Sequence, residues 1–188
     1  MRSISTRMSA LSKRAARPAT RAAVFVAALL VTAFASSSIC QSSPQVKLDA
    51  DGLAPRSIEE LTGTTIVRHY AQAWRDMADA LDSGRVERLG DDFVGFARDR
   101  LVERISAQNR TGVHVRIVDH GHQLKAVFYS TDGTAMQLFD QAQLERQTFD
   151  GDKLLDTQTG THEYMVLMTP GADRWYIRDL EEVSAKSD

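Results

Sequence analysis

The segment Thr111-Gly-Val-His-Val-Arg-Ile-Val118 marks the point where the spacing of apolar residues changes from helical to alternating. Before it, apolar residues recur at three- and four-residue steps, which is typical of a helix with one buried face. After it, Val113, Val115 and Ile117 alternate with other residues, which is typical of a strand. Helices followed by strands predict an α+β fold.

Two helices are predicted before this point. The first begins near Ser57-Ile-Glu-Glu60, which has the form of a capping box, and ends at Ser83-Gly84. The second begins at Asp91 or Asp92 as N-cap and ends within residues 109–112. The apolar stripe of the first helix comprises Ile66, Val67, Tyr70, Ala71, Trp74, Met77, Ala78 and Leu81.

Turn signals divide the rest of the chain into an antiparallel meander. Gly121 is expected to turn the chain into a strand at 124–129, and Thr131-Asp-Gly-Thr134 predicts a tight hairpin. A long strand at 135–148 and two more at 161–168 and 174–183 follow. The sequence therefore predicts N-terminal helices packed on an antiparallel sheet.

The N-terminus has the order of an export signal. Residues 1–35 contain six basic and no acidic side chains, and the apolar run at 22–35 is shorter than the roughly 20 residues that span a bilayer. Ala33-Phe-Ala35 favours cleavage before Ser36, although initiation at Met8 would give a more usual length. The alternatives are an uncleaved membrane anchor through 22–39, a lipoprotein at Cys40 and an organelle transit peptide.

Composition limits the partners of the exported chain. Cleavage after Ala35 leaves 17 basic and 25 acidic residues, a net charge of −8, so neither nucleic acid nor an anionic membrane surface is an expected partner. Cys40 is the only cysteine, which excludes an internal disulfide and a multi-thiolate zinc site. No cofactor is predicted.

The chain is predicted to contain one domain. Residues 36–56 are polar and lack an apolar period, so we expect a flexible linker there. The folded domain is predicted at 57–183 and a disordered tail at 184–188.

The order of elements and the closing Asp173-Arg-Trp-Tyr-Ile177 resemble the nuclear transport factor 2-like superfamily. The resemblance covers residues 57–183 and implies a cone, in which helices close one side of a curved antiparallel sheet. The export signal and linker look most like membrane-associated members, including mitochondrial import-motor tethers and assembly factors of type IV secretion, which bind proteins. The resemblance also implies that a dimer could form through the outer face of the sheet.

Other branches of the superfamily, such as polyketide cyclases, ketosteroid isomerases and epoxide hydrolases, place an acid and a base inside the cone. No residue pattern here matches theirs. Strand parity nevertheless places Asp140 on the inward face of the long strand, unless a bulge intervenes or Asp140 pairs with Arg146. With His162 or Tyr164 nearby, Asp140 could form an acid/base pair, and these three residues are the catalytic candidates.

Two further sets of residues are candidates for binding. His120 and His122 could hold a metal ion, but an intervening turn at Gly121 would separate their rings, so no metal site is predicted. Tyr70 and Trp74 are one turn apart on the first helix and could line a ligand pocket, although such a pair is more often core.

Two classes of function remain. The leading hypothesis is an exported, non-enzymatic module, periplasmic or secreted, that binds another protein or itself; it predicts an interior filled by side chains. The alternative is a binder of a small apolar molecule or a lyase/isomerase-type enzyme, which predicts a hollow cone of at least about 300 Å³.

Overall fold

The computed structural model describes residues 44–187, with side chains as far as Ser184. The predicted export signal, its cleavage site and the possible anchor lie outside the described residues. The described part holds two long helices, a short 3-10 helix and five strands. Their order is β1 (Val46–Asp49), α1 (Glu60–Ser83), the 3-10 helix (Val86–Leu89), α2 (Gly95–Thr111), β2 (Val113–Tyr129), β3 (Met136–Asp150), β4 (Lys153–Pro170) and β5 (Trp175–Ser187).

The strands form one curved sheet in the order β1-β2-β3-β4-β5. Strands β2 to β5 are an antiparallel meander, as predicted, and β1 pairs in parallel with β2. Register shifts interrupt the pairing at several points on β2, β4 and β5, and such bulges bend strands. Both long helices pack against the sheet, so the fold is the predicted α+β class.

Helix α1 supplies much of the core. It ends at Ser83 as predicted, because Gly84 adopts the left-handed conformation with φ 67° and returns its N–H to the carbonyl of Ala80. Its N-cap is Glu59, so the helix begins after the predicted capping box at Ser57. The buried residues of α1 are Ile66, Tyr70, Ala73, Trp74, Met77, Ala80 and Leu81.

Several other element boundaries differ from expectation, and β4 begins at Lys153 instead of residue 161. Val46–Asp49, inside the expected linker at 36–56, forms β1 because its backbone pairs with residues 122–125 of β2. Helix α2 begins at Gly95, since residues 92–94 bond to the backbone of Ile177 on β5 and are held out of the helix. Strand β5 continues to Ser187, so residues 184–187 of the expected disordered tail are paired with β4.

Gly121 does not turn the chain. Strand β2 runs continuously through it, and a bulge between Asp119 and Gly121 takes the place of the expected turn. Gly121 has a φ of 134°, and an added Cβ would lie 3.1 Å from the carbonyl oxygen of Gln45. Only glycine combines that backbone conformation with so close an approach of the segment that leads into β1.

Candidate functional site

The bulge at Gly121 directs His122 into the interior, where it meets the predicted inward carboxylate of Asp140. The inward face of β3 is buried as expected, with Met136, Leu138, Ala142 and Leu144 on either side of Asp140. The Nδ1 atom of His122 lies 2.7 Å from Oδ2 of Asp140. The opposite ring nitrogen, Nε2, lies 3.0 Å from Oδ2 of Asp119. One imidazole is therefore held between two carboxylates.

Helix α1 completes this group from above the sheet. The hydroxyl of Tyr70 donates to Oδ2 of Asp140 at 2.7 Å. We call Tyr70, Asp119, His122 and Asp140 the inner cluster. It joins one helix to two strands through charge-assisted hydrogen bonds.

Electrostatics favour a protonated histidine in the inner cluster. Burial alone would lower the pKa of His122, but its hydrogen bonds to Asp119 and Asp140 outweigh this and raise the pKa to about 9. Burial, together with the charge of Asp140, raises the pKa of Tyr70 well above its usual value. At neutral pH the cluster therefore contains an imidazolium that donates two hydrogen bonds and a neutral phenol that donates one.

The inner cluster is buried except at Asp119, whose side chain is 12% exposed. The side chains of His122 and Asp140 have no exposed surface. The Trp74 ring lies 4.4 Å from the His122 ring and 5.3 Å from the Tyr164 ring, centroid to centroid. Tyr70 and Trp74, the predicted pocket-lining residues, are thus buried and fill the interior. Two buried atoms of this region, Oδ1 of Asp140 and Nε1 of Trp74, have no hydrogen-bond partner.

The other two catalytic candidates belong to a separate group. His162 bonds through Nδ1 to Glu182 at 2.7 Å, and Arg146 donates to Glu182 at 2.9 Å and to the hydroxyl of Tyr164. We call Arg146, His162, Tyr164 and Glu182 the outer cluster. Although strand register sets Asp140 opposite Tyr164, Asp140 bonds to His122 and Tyr70, and Arg146 bonds to Glu182. The three predicted catalytic residues are therefore divided between two networks.

Hydrogen bonds and opposite charges in the outer cluster keep Glu182 ionised although it is partly buried. Burial opposes ionisation of Glu182, but hydrogen bonds from Arg146 and His162 lower the pKa of its carboxyl. Burial raises the pKa of Tyr164 to about 12, against the opposing effect of Arg146. The hydroxyl of Tyr164 is therefore neutral at physiological pH.

A cavity of about 170 Å³ adjoins the outer cluster, between α2 and the sheet. It is lined by Arg146, Tyr164 and Glu182 and by apolar side chains that include Met77 and Leu101. A larger hollow of about 440 Å³ is a wide surface cleft that shares no residue with either cluster. The enclosed space next to the polar groups is thus smaller than an ordinary ligand pocket of about 300 Å³ or more.

The metal candidates do not act together. His120 is exposed, whereas His122 is buried and bonded to two carboxylates. Within residues 44–184 there is no group of three or more side chains placed to hold a metal ion.

Sequence reasoning missed most partners in these clusters. The Asp119-His-Gly-His122 segment carried a usable signal, since a bulge at the glycine brings Asp119 and His122 together. The contact between Tyr70 and Asp140 joins residues 70 positions apart, and nothing local indicates it.

Comparisons with known proteins support the fold. No family model and no curated protein matches the chain. Among solved structures, the intermembrane space region of chloroplast protein ARC6 matches at 16% identity and a TM-score of 0.56, over 69% of this chain and 99% of that one.

Two enzyme-like structures match less well. A proposed scytalone dehydratase from Novosphingobium aromaticivorans matches at 12% identity and a TM-score of 0.44, over 64% of this chain and 86% of its own. A proposed dehydratase of the nuclear transport factor 2-like family from Streptomyces avermitilis matches at 10% identity and a TM-score of 0.41, over 62% and 94%.

The domain therefore has the nuclear transport factor 2-like fold that the sequence predicted. Identities this low show the fold alone, and function has to be inferred from the sites. Within residues 44–187, no helix is long and apolar enough to cross a membrane.

Proposed function

We propose that the protein is an exported, non-enzymatic module that binds another protein through the exposed edge of β4. The observation that carries this proposal is the free side of residues 153–159. Strand β5 pairs with β4 only as far as Gly160, so within the described chain residues 153–159 have a neighbouring strand on one side alone. An unpaired strand edge is a template for adding a strand from a partner.

The side chains of this edge suit a protein contact. Leu154 and Leu155 are 49% and 50% exposed, and Lys153 and Asp156 flank them. A bulge leaves Leu155 without a residue opposite it on β3, which bends the strand. Charges and a bulge oppose indiscriminate edge pairing, so the edge selects a strand that supplies apolar groups opposite the leucines.

The closed interior supports a binding role over catalysis. The inner cluster combines an acid, an imidazole and a phenol, as a lyase or isomerase would require, but the side chains of His122 and Asp140 have no exposed surface. The Trp74 ring packs against the His122 ring on the core side of this cluster. Of the three residues in the alternative of catalysis, Tyr164 lines the cavity of about 170 Å³, whereas Asp140 has no exposed side-chain surface and is not among the lining residues of that cavity.

Export rests on the N-terminal sequence. The basic and then apolar order of residues 1–35 favours a periplasmic or secreted protein, or one held at a membrane through residues 22–39. Mass spectrometry of the mature N-terminus tests this, and a start at Ser36 is expected.

The edge is tested by a double substitution, Leu154→Lys with Leu155→Lys, in the full chain. Both positions are exposed, so the fold should survive, whereas strand addition should be lost. Leu61→Lys is the matched control, because Leu61 is 82% exposed on α1. Sedimentation measures self-association, and affinity purification from the native cells measures other partners.

The expected result is an assembly or a captured protein that persists with Leu61→Lys and disappears with the double variant. A chain that sediments as a monomer, and captures nothing that the double variant fails to capture, would contradict the proposal.

A further inference from the structure

The cavity between α2 and the sheet has an excess of positive charge. Arg100, Arg104 and Arg146 line it, and Glu182 is the only acidic residue among its lining side chains. Glu182 already accepts hydrogen bonds from Arg146 and His162. Arg100 pairs with Asp179 and Arg146 with Glu182, so Arg104 is the lining arginine without a carboxylate partner among the described residues.

Two of these arginines have unused donors. Arg104 makes no hydrogen bond or ion pair with the described residues, whereas Arg100 pairs with Asp179 at 2.9 Å. The Nε atom of Arg146 is buried without a hydrogen-bond partner. Partial burial lowers the pKa of Arg104, and the adjacent charge of Arg146 lowers it further. An anion between the two guanidinium groups would relieve this repulsion and use the free donors.

We propose that this cavity binds a small monocarboxylate that carries a compact apolar group. The carboxylate lies against Arg104 and the hydroxyl of Tyr164, and the apolar group lies against Met77, Leu101 and Ile117. A guanidinium matches a carboxylate in shape and charge. The Tyr164 hydroxyl accepts its hydrogen bond from Arg146, which leaves its own proton free to donate to the ligand.

The cavity volume limits the size of the ligand. At about 30 Å³ for each water in the liquid, 170 Å³ accommodates about six non-hydrogen atoms. That is the size of one aromatic ring or a short branched chain, with the carboxylate at the mouth among the arginines. The volume excludes nucleotides, long acyl chains and folded peptides. The site shares no residue with the β4 edge at 153–159, so this inference does not depend on the proposed function.

Titration of the full chain with benzoate tests the proposal. Binding is measured by calorimetry and by NMR shifts, with benzamide as the neutral analogue of the same shape and acetate as the carboxylate without the ring. We expect benzoate to bind at least tenfold more tightly than either, and to bind more weakly as salt is added.

Two substitutions separate the parts of the site. Arg104→Gln should weaken benzoate binding at least tenfold, and its matched control is Arg110→Gln, on the same helix but outside the cavity lining, which should leave binding unchanged. Ala97→Met should occupy the apolar part and abolish binding, with circular dichroism as the check on folding. Equal affinities for benzoate and benzamide, or equal effects of Arg104→Gln and Arg110→Gln, would overturn the proposal.

Discussion

The inner and outer clusters contain similar residues but differ in exposure. Each has a histidine, a tyrosine and at least one carboxylate, yet His122 and Asp140 have no exposed side-chain surface, whereas Glu182 is 32% and Arg146 is 19% exposed. The inner groups bond to one another, and only the side chain of Asp119 among them is partly exposed, at 12%, whereas Arg146, Tyr164 and Glu182 border a cavity. Burial, more than residue type, decides which cluster holds the fold together and which can meet a ligand.

The difference also sets the energetic importance of each contact. Inside a protein, a charged group left without its partner cannot recover the hydration it has lost, so breaking a buried pair costs far more than breaking an exposed one. The inner cluster is therefore expected to dominate stability and the outer cluster to dominate binding.

The largest effect is expected from Asp140→Ala. The substitution leaves the His122 imidazolium with one carboxylate and the Tyr70 hydroxyl without an acceptor, so the free energy of unfolding should fall by about 3–5 kcal/mol. Urea denaturation at pH 7 measures it. Asp156→Ala, at an exposed position on β4, is the control and should change stability by less than about 0.5 kcal/mol. A loss below about 1 kcal/mol for Asp140→Ala would remove the proposed difference between the clusters.

The pH dependence of stability should show the positive charge of His122. A folded-state pKa of about 9 for His122, above the usual 6.5, gives stabilisation that is complete below pH 6.5 and is lost as pH rises through 9. The loss is on the order of 3 kcal/mol. Urea denaturation between pH 7 and 9.5 measures this loss. Asp92 titrates below that range, because burial and the neighbouring Asp76 raise its pKa only to about 6.

His120, the exposed histidine two residues before His122, provides the control for this experiment. His120→Gln should retain the whole decline between pH 7 and 9.5. Stability that stays flat or rises over that range would show that His122 is neutral in the folded protein.

Sequence periodicity was sufficient for the fold, because burial leaves a local pattern. The alternation on β3 and the stop at Gly84 follow from residues within one element and are confirmed. The predicted stripe on α1 is confirmed at Ile66, Tyr70, Trp74, Met77 and Leu81, whereas Val67, Ala71 and Ala78 are only half-buried. The prediction of an unstructured linker and tail was wrong in part, for a physical reason. Val46–Asp49 becomes a strand through pairing with β2, a contact that no local pattern encodes.

The candidate site was only partly predictable. Parity placed Asp140 inward, but its partners are fixed by a bulge on β2 and by a helix 70 residues away. The predicted turn at Gly121 was wrong for the same reason, because a strand can accommodate one extra residue as a bulge and continue without turning. Pairing across elements, rather than the character of any single residue, separated Asp140 from His162.

A smaller loss is expected from Gly121→Ala, which tests whether the bulge positions the inner cluster. The new Cβ would meet the Gln45 carbonyl at 3.1 Å, so the free energy of unfolding should fall by about 2–3 kcal/mol. Gly151→Ala is the control: its φ is 56° but nothing lies within 4 Å, so only about 1 kcal/mol of backbone strain is expected. Hydrogen exchange should also accelerate at residues 46–49. Equal losses for the two variants would show that β1 yields freely at this contact.

The smallest effect on stability is expected from Glu182→Gln in the outer cluster. The residue is partly exposed, so losing its ion pairs should cost no more than about 1 kcal/mol. Its removal also takes a negative charge away from the cavity, and where water screens the charges such a change is worth about 1 kcal/mol, or roughly fivefold in affinity. Benzoate should therefore bind about fivefold more tightly to Glu182→Gln, while Glu181→Gln, outside the cavity lining, should leave binding unchanged. Weaker benzoate binding, or a stability loss as large as that of Asp140→Ala, would mean that Glu182 holds the cavity walls in place and that the two clusters share one structural role.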